Sequence, residues 1–277
     1  MTTPASHSSA PGLAPSGFRA KFASASARNQ SLVCVGLDPD PARTPRGMKT
    51  TDFLRTVIEA TADLVCCYKP NAAFFEHDGA AGWETLREVI AMVPDGIPVL
   101  LDAKRGDVGN TAGFYATAVF ETLGADAVTA NPYLGGDGLE PFLAYEDQHV
   151  FLLCRTSNPG ARDMQDIVTD DGRPLYERVA LLAQLWNTRG NIGLVVGATY
   201  PEEAARIRAV APDMLFLMPG VGAQEGDLQA AVRASIDADG GGILVNASRS
   251  VIYAGTPEDM RAETVRLLRA ISAARGA

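Results

Sequence analysis

The sequence is poor in the residues that build disulfide frameworks, zinc sites and membrane spans. Only four cysteines (Cys34, Cys66, Cys67 and Cys154) and three histidines occur among 277 residues. No Cys-x-x-Cys pair or Cys/His set has the spacing of zinc ligands. Three of the cysteines lie inside apolar, β-branched runs, where a thiol serves as a small buried hydrophobe. That usage fits a reducing compartment, so a cytoplasmic protein is expected. No stretch approaches about 18 uncharged apolar residues, so no membrane-spanning helix is expected. Positive charge is scarce as well: 24 Lys+Arg stand against 33 Asp+Glu, a net charge of −9. Nucleic acids and anionic membranes, which require broad positive surfaces, are therefore not expected partners. A small anionic ligand held by a few local cations remains compatible. Residues 1–17, rich in Ala, Ser, Pro and Gly, lack a basic start and an apolar core, and read as a disordered tail rather than a signal peptide.

What the sequence does have is an apolar fraction of 47%, enough for a substantial core. Eight short apolar runs recur, at 32–37, 64–68, 97–101, 125–130, 150–154, 192–196, 214–218 and 242–245. Each reads as a strand buried on both faces, as in a parallel sheet. Helical patterns fall between them. Residues 51–63 place Phe53, Val57 and Ala60 on one stripe, and 174–188 place Leu175, Val179, Leu182 and Trp186 together. The segments 201–210 and 257–274 each open with proline, which a first helical position accepts, and Thr256 with Asp259 resembles a capping box. Strand and helix alternate eight times over about 240 residues, the arithmetic of an α/β fold with a single (β/α)8 TIM barrel. The barrel domain spans 18–277, with an extra N-terminal helix over 18–27. An open doubly wound sheet is the runner-up. It would favour a glycine-rich turn after the first strand, where the chain reads Gly36-Leu37-Asp38-Pro39 without a GxGxxG motif.

A barrel of this kind carries its active site at the C-terminal ends of its strands, and polar residues collect there. The first run ends in Asp38, the second in Tyr68-Lys69-Pro70-Asn71, and the third in Asp102-Ala103-Lys104-Arg105-Gly106-Asp107, with Thr111 one helical turn further on. Asp102 and Lys104, two apart on a strand, point to the same side. A carboxylate and an ammonium forced together in a partly dry site shift each other's pKa, and the lysine is held charged and aimed, which suits a proton donor. A rim salt bridge is the plainer reading of an isolated Asp-x-Lys. With Asp38 and Lys69 ending the neighbouring strands, an alternating Lys–Asp–Lys–Asp array of Lys69, Asp102, Lys104 and Asp107 is favoured. The seventh and eighth loops offer an anion site: Gly220 and Gly222 let backbone N–H groups approach a phosphate, Gln224 adds a neutral donor, and Arg249 adds a fork of charged donors. His77 and His149 have no ligand partner at metal spacing and are expected on the surface or in loops. Ser157 lacks the Gly-x-Ser-x-Gly setting of a hydrolase nucleophile and reads as a hydrogen-bonding residue.

Asp102–Asp107 resembles the DxKxxD signature of the orotidine 5′-phosphate decarboxylases. The likeness extends to Cys34-Val35-Gly36-Leu37-Asp38-Pro39-Asp40, to Tyr68-Lys69-Pro70-Asn71 with Phe74-Phe75-Glu76, and to Thr156-Ser157-Asn158-Pro159-Gly160. It continues through Pro219-Gly220-Val221-Gly222-Ala223-Gln224 and Asn246-Ala247-Ser248-Arg249, all in the family's order. It covers essentially 18–275, and an extended segment over 161–191 looks like that of the longer bacterial subgroup. DxKxxD alone is shared with sugar-phosphate decarboxylases and aldolases of the same superfamily; the whole set is far more specific. The resemblance implies a homodimeric barrel that converts orotidine 5′-monophosphate to UMP and CO2, the last step of de novo pyrimidine synthesis, without cofactor or metal. It implies Lys104 as the donor that protonates C6, Asp102 beside the substrate carboxylate, and Lys69 orienting Asp102 and touching the ribose. Asp38 would bind a ribose hydroxyl, Ser157 the pyrimidine, and Gln224 and Arg249 the phosphate, while Asp107 and Thr111 would reach the partner subunit's site. A metal-dependent sugar-phosphate enzyme and a non-catalytic nucleotide-binding barrel are the alternatives. The Lys69-Pro70-Asn71 block and the chain length speak against the first. The complete charge array, which binding alone does not need, speaks against the second.

Overall fold

In the computed structural model, which describes residues 17–220 and 225–276, eight parallel strands form one sheet in the order β2-β1-β8-β7-β6-β5-β4-β3. They are β1 (Val33–Leu37), β2 (Cys67–Pro70), β3 (Leu100–Arg105), β4 (Ala127–Ala130), β5 (His149–Arg155), β6 (Ile192–Val196), β7 (Phe216–Met218) and β8 (Ile243–Ala247). Parallel bridges Tyr68↔Val99 and Asn71↔Asp102 join β2 to β3, with Tyr68 N–H donating to the Pro98 carbonyl (3.1 Å), so the sheet closes on itself. Helices lie between the strands, and the fold is the (β/α)8 barrel the sequence implies. The greater part of the expected tail (1–16), together with Gly222 and Gln224, lies outside the described residues.

Burial explains the strand sequences. β1, β2, β4, β6, β7 and β8 are buried at every residue, because one face meets the barrel interior and the other the helices. Four strands run further toward the mouth than their apolar runs, β5 by Arg155 and β8 by Asn246 and Ala247. β2 continues through Lys69 and Pro70, and β3 through Asp102, Ala103, Lys104 and Arg105. The last helix, Pro257–Arg275, opens on the expected capping box: Thr256 Oγ1 accepts from Asp259 N–H (3.3 Å), and Asp259 Oδ2 accepts from Thr256 N–H (2.9 Å).

The extra helix, Phe18–Asn29, closes the barrel floor. Phe18 stacks on His149 with centroids 5.1 Å apart and meets Phe151 edge-on at 5.6 Å. Lys21 pairs with Asp126 (2.6 Å), whose other oxygen accepts from Val99 N–H (2.8 Å), so one carboxylate ties the helix to the sheet. His149 corrects the surface or loop placement read from the sequence. It opens β5, is fully buried, and has no partner for either ring nitrogen. His77 is exposed, beside Asp78.

The helix Leu175–Trp186 carries the expected stripe beside its most buried face. Its buried face is Tyr176, Glu177, Ala180 and Ala183. The expected stripe of Leu175, Val179, Leu182 and Trp186 lines a cavity of about 520 Å³ against Leu153 and Cys154 of β5. Periodicity found the stripe: it lines this gap, and Val179 and Trp186 also pack against the core.

Candidate active site

Asp102 is the hub of the mouth. Its Oδ1 accepts from Lys104 Nζ (2.7 Å) and Thr129 Oγ1 (2.8 Å). Its Oδ2 accepts from Lys69 Nζ (3.1 Å) and, at 3.5 Å, from Asn71 Nδ2. Lys69 is buried at 4% side-chain exposure, whereas Lys104 is half-exposed at 49%, so one ammonium is sealed in the wall and the other faces the open mouth. Burial pulls Lys69 toward its neutral form, but the carboxylates of Asp102 and Asp38 outweigh it and hold the ammonium above the ordinary lysine range. Burial likewise works against the Asp102 carboxylate, and the two lysines reverse it, bringing its pKa down to about 2. Lys69 and Asp102 are therefore both charged at neutral pH.

Lys104 reaches this position by a route that simple alternation does not describe. The pairing of β3 with β4 shifts register between Leu101 and Arg105, and Lys104 has φ +47°. A non-glycine residue in the left-handed region is uncommon and marks local strain. Its N–H leaves the ladder and donates to Thr129 Oγ1 (2.9 Å). Asp102 and Lys104 do share a side, as the spacing implies, but a bulge puts them there.

Asp38, at the end of β1 and 9% exposed, accepts from Asn71 N–H (3.2 Å). Gly36 makes room for it: a Cβ there would lie 2.7 Å from Ser248 Cβ and 3.0 Å from Asp38 Oδ2. Asp107 follows β3 with Oδ1 on the Val108 N–H (2.8 Å), outside the Lys69–Asp102–Lys104 ion pairs. Thr111 is exposed on the helix Gly109–Thr117. Ser157, half-buried after β5, faces Gly220, which takes φ +90° and would bring a Cβ to 3.3 Å from Ser157 Oγ. Arg249 is exposed and begins the short helix Arg249–Ile252 after β8. Beside it, Asn246 Oδ1 and Ser248 Oγ are buried without partners. Among the described residues, no group of three or more His, Cys, Asp or Glu is placed to hold a metal ion.

The sequence reading gave no role to Asn71 or Thr129. Asn71 stood inside a noted block, so position could have found it. Thr129 looked like one more β-branched strand residue, and only the bulge reveals its hydroxyl's use.

A closed β/α barrel with a charged lysine–carboxylate–lysine array at its C-terminal mouth defines the class: a barrel enzyme equipped to stabilise and protonate a carbanion. Residues 31–263 match the family described as orotidine 5′-phosphate decarboxylase / HUMPS. A curated orotidine 5′-phosphate decarboxylase of Roseiflexus castenholzii is 57% identical over 235 residues, covering 82% of this chain and 85% of that protein. One of Roseiflexus sp. is 51% identical over 267 residues, covering 93% and 98%. The solved structure of Leishmania donovani OMP decarboxylase superposes with a TM-score of 0.85 at 47% identity, covering 94% of this chain and 99% of that one. The chain belongs to the orotidine 5′-phosphate decarboxylase / HUMPS family.

Proposed function

We infer that this barrel decarboxylates orotidine 5′-monophosphate to UMP and CO2, the closing step of pyrimidine nucleotide synthesis. Family membership supports the reaction, and the observation that carries the chemistry is the Lys69–Asp102–Lys104 array. As the bond from C6 to the carboxylate breaks, its electron pair stays on C6 and CO2 departs. The Lys104 ammonium, already charged and facing the mouth, stabilises that pair and delivers its proton to C6. Lys104 then regains a proton from solvent. Asp102 sits beside the substrate carboxylate, keeps Lys69 charged and holds Lys104 in place, and Lys69 fixes Asp102 from inside the wall.

In this reading, Asp38 and Lys69 hold the ribose and Ser157 contacts the pyrimidine. Arg249, Gln224 and the backbone at Gly220 and Gly222 hold the phosphate. Binding energy from that remote phosphate serves the transition state. The unpaired oxygens of Asn246 and Ser248 beside Arg249 favour a polar ligand at this end of the mouth. The enzyme works as a homodimer, with Asp107 and Thr111 completing the partner's array. Exposed Val108 (51%), Phe114 (74%), Tyr133 (78%) and Leu134 (45%) flank those residues and supply an apolar surface for that contact. The four free, buried thiols suit a reducing cytoplasm. Among the described residues, no helix is long and apolar enough to cross a membrane.

The test is formation of UMP and CO2 from orotidine 5′-monophosphate by the purified protein with EDTA present. Fast turnover is expected. Turnover that requires a divalent cation, or tight UMP binding without turnover, would overturn the proposal in favour of a metal-dependent or a non-catalytic barrel respectively.

A further inference from the structure

Thr129 lies in β4, facing the bulge of β3, and is 1% exposed. One oxygen makes two bonds there. It accepts the Lys104 N–H at 2.9 Å and lies 2.8 Å from Asp102 Oδ1. Their directions are fixed by chemistry. Asp102 is ionised and can only accept, so the hydroxyl hydrogen points to Oδ1, which leaves the lone pairs of Oγ1 free for the amide.

The two bonds grip the two ends of the Asp102–Lys104 ion pair. One holds the Lys104 backbone at φ +47°, a conformation that a side-chain-bearing residue leaves unless its surroundings enforce it. The other holds the carboxylate oxygen on which Lys104 Nζ rests. We infer that Thr129 is a positioning residue for the decarboxylation: its hydroxyl staples the β3 bulge to Asp102 and thereby aims the Lys104 ammonium at the reacting carbon. The inference rests on Lys104 as the proton donor. Aim matters most as charge develops on C6, while the ribose and phosphate contacts belong to Asp38 after β1, to Lys69 of β2 and to the loops after β7 and β8. Loss of the hydroxyl therefore acts on kcat and leaves KM near its starting value.

The experiment compares Thr129→Val, which keeps the side-chain shape and removes the hydroxyl, with Thr129→Ser, which keeps the hydroxyl, using Lys104→Ala as reference. Turnover of orotidine 5′-monophosphate gives kcat and KM for each, and circular dichroism and Tm verify folding. Expected are a fall in kcat of about 100-fold for Thr129→Val, the scale of a 1 Å misplacement of a reacting group, and recovery of most of it in Thr129→Ser. A folded Thr129→Val with normal kcat overturns the inference, as does a Thr129→Ser as slow as Thr129→Val. If Thr129→Val does not fold, Thr129→Cys, with a weak thiol donor of similar size, is held to the same outcomes. An inactive Lys104→Ala beside a normal Thr129→Val removes Thr129 alone. An active Lys104→Ala removes the donor reading and this inference with it.

Discussion

The two ends of the barrel both bury ionisable side chains, and they treat them in opposite ways. At the mouth, Lys69 and Asp102 keep their charges because each lies against an opposite one. At the floor, His149 sits between Phe18 and Phe151 with no partner for its ring nitrogens, and burial brings its pKa down to about 3, so the imidazole is neutral. Burial alone removes charge, and burial with a matched partner preserves it. The mouth bears strain and polarity that reduce stability because chemistry takes place there. The floor is packed aromatic surface with no chemical duty. The first expectation separates the ends most widely. Lys104→Ala lowers kcat/KM by about 10⁴-fold or more, the combined scale of a lost proton donor and a lost electrostatic stabiliser. Its Tm stays near that of the parent, because Lys104 is half-exposed. Steady-state turnover and a melting curve check both halves.

Removing the partner at the mouth makes Lys69 resemble His149. Asp102→Asn lowers kcat/KM by about 10³-fold and costs about 3 kcal/mol of stability, since a buried ammonium loses its nearest counter-charge. The pH dependence moves from acid to alkaline pH with it. In the parent, the folded pKa of Asp102 is about 2, below the unfolded value of about 3.9, so its contribution is complete above that value and is lost as pH falls toward 2. In the variant that acid loss disappears. Burial of Lys69, now opposed chiefly by Asp38, depresses its folded pKa, so stability rises between pH 7 and pH 9. Urea denaturation across that range reads the slope, and a flat profile would show that Asp38 alone sustains the Lys69 charge.

The same contrast shows what could be read in advance. Strands buried on both faces are continuous apolar runs, so all eight were visible in the sequence, as were the polar residues at their ends. Strand ends were less visible. Lys69 and Asp102–Arg105 continue β2 and β3 with the polar residues that otherwise mark loops. The bulge at Lys104 was hidden because no glycine announces its positive φ. Thr129 was hidden because a threonine in a strand looks like packing. At the floor, a lone histidine beside a charged turn reads as surface until the aromatic helix Phe18–Asn29 is seen to cover it.

The smallest expected effect on turnover belongs to that floor. His149→Phe keeps a ring of similar size and removes two buried nitrogens without partners, so kcat and KM remain those of the parent. Its effect appears in acid. The folded pKa of about 3 lies below the ordinary 6.5, so the unfolded chain binds a proton that the folded chain refuses. The stability associated with His149 is complete above pH 6.5 and declines as pH falls toward 3. Between pH 7 and pH 4 linkage makes that decline about 3 kcal/mol. The phenylalanine variant, with nothing to protonate, resists acid by that margin. Denaturation of parent and variant at pH 7 and pH 4 measures it. Equal acid losses in the two proteins would mean that His149 gains its proton without unfolding, and that the floor opens more readily than its packing implies.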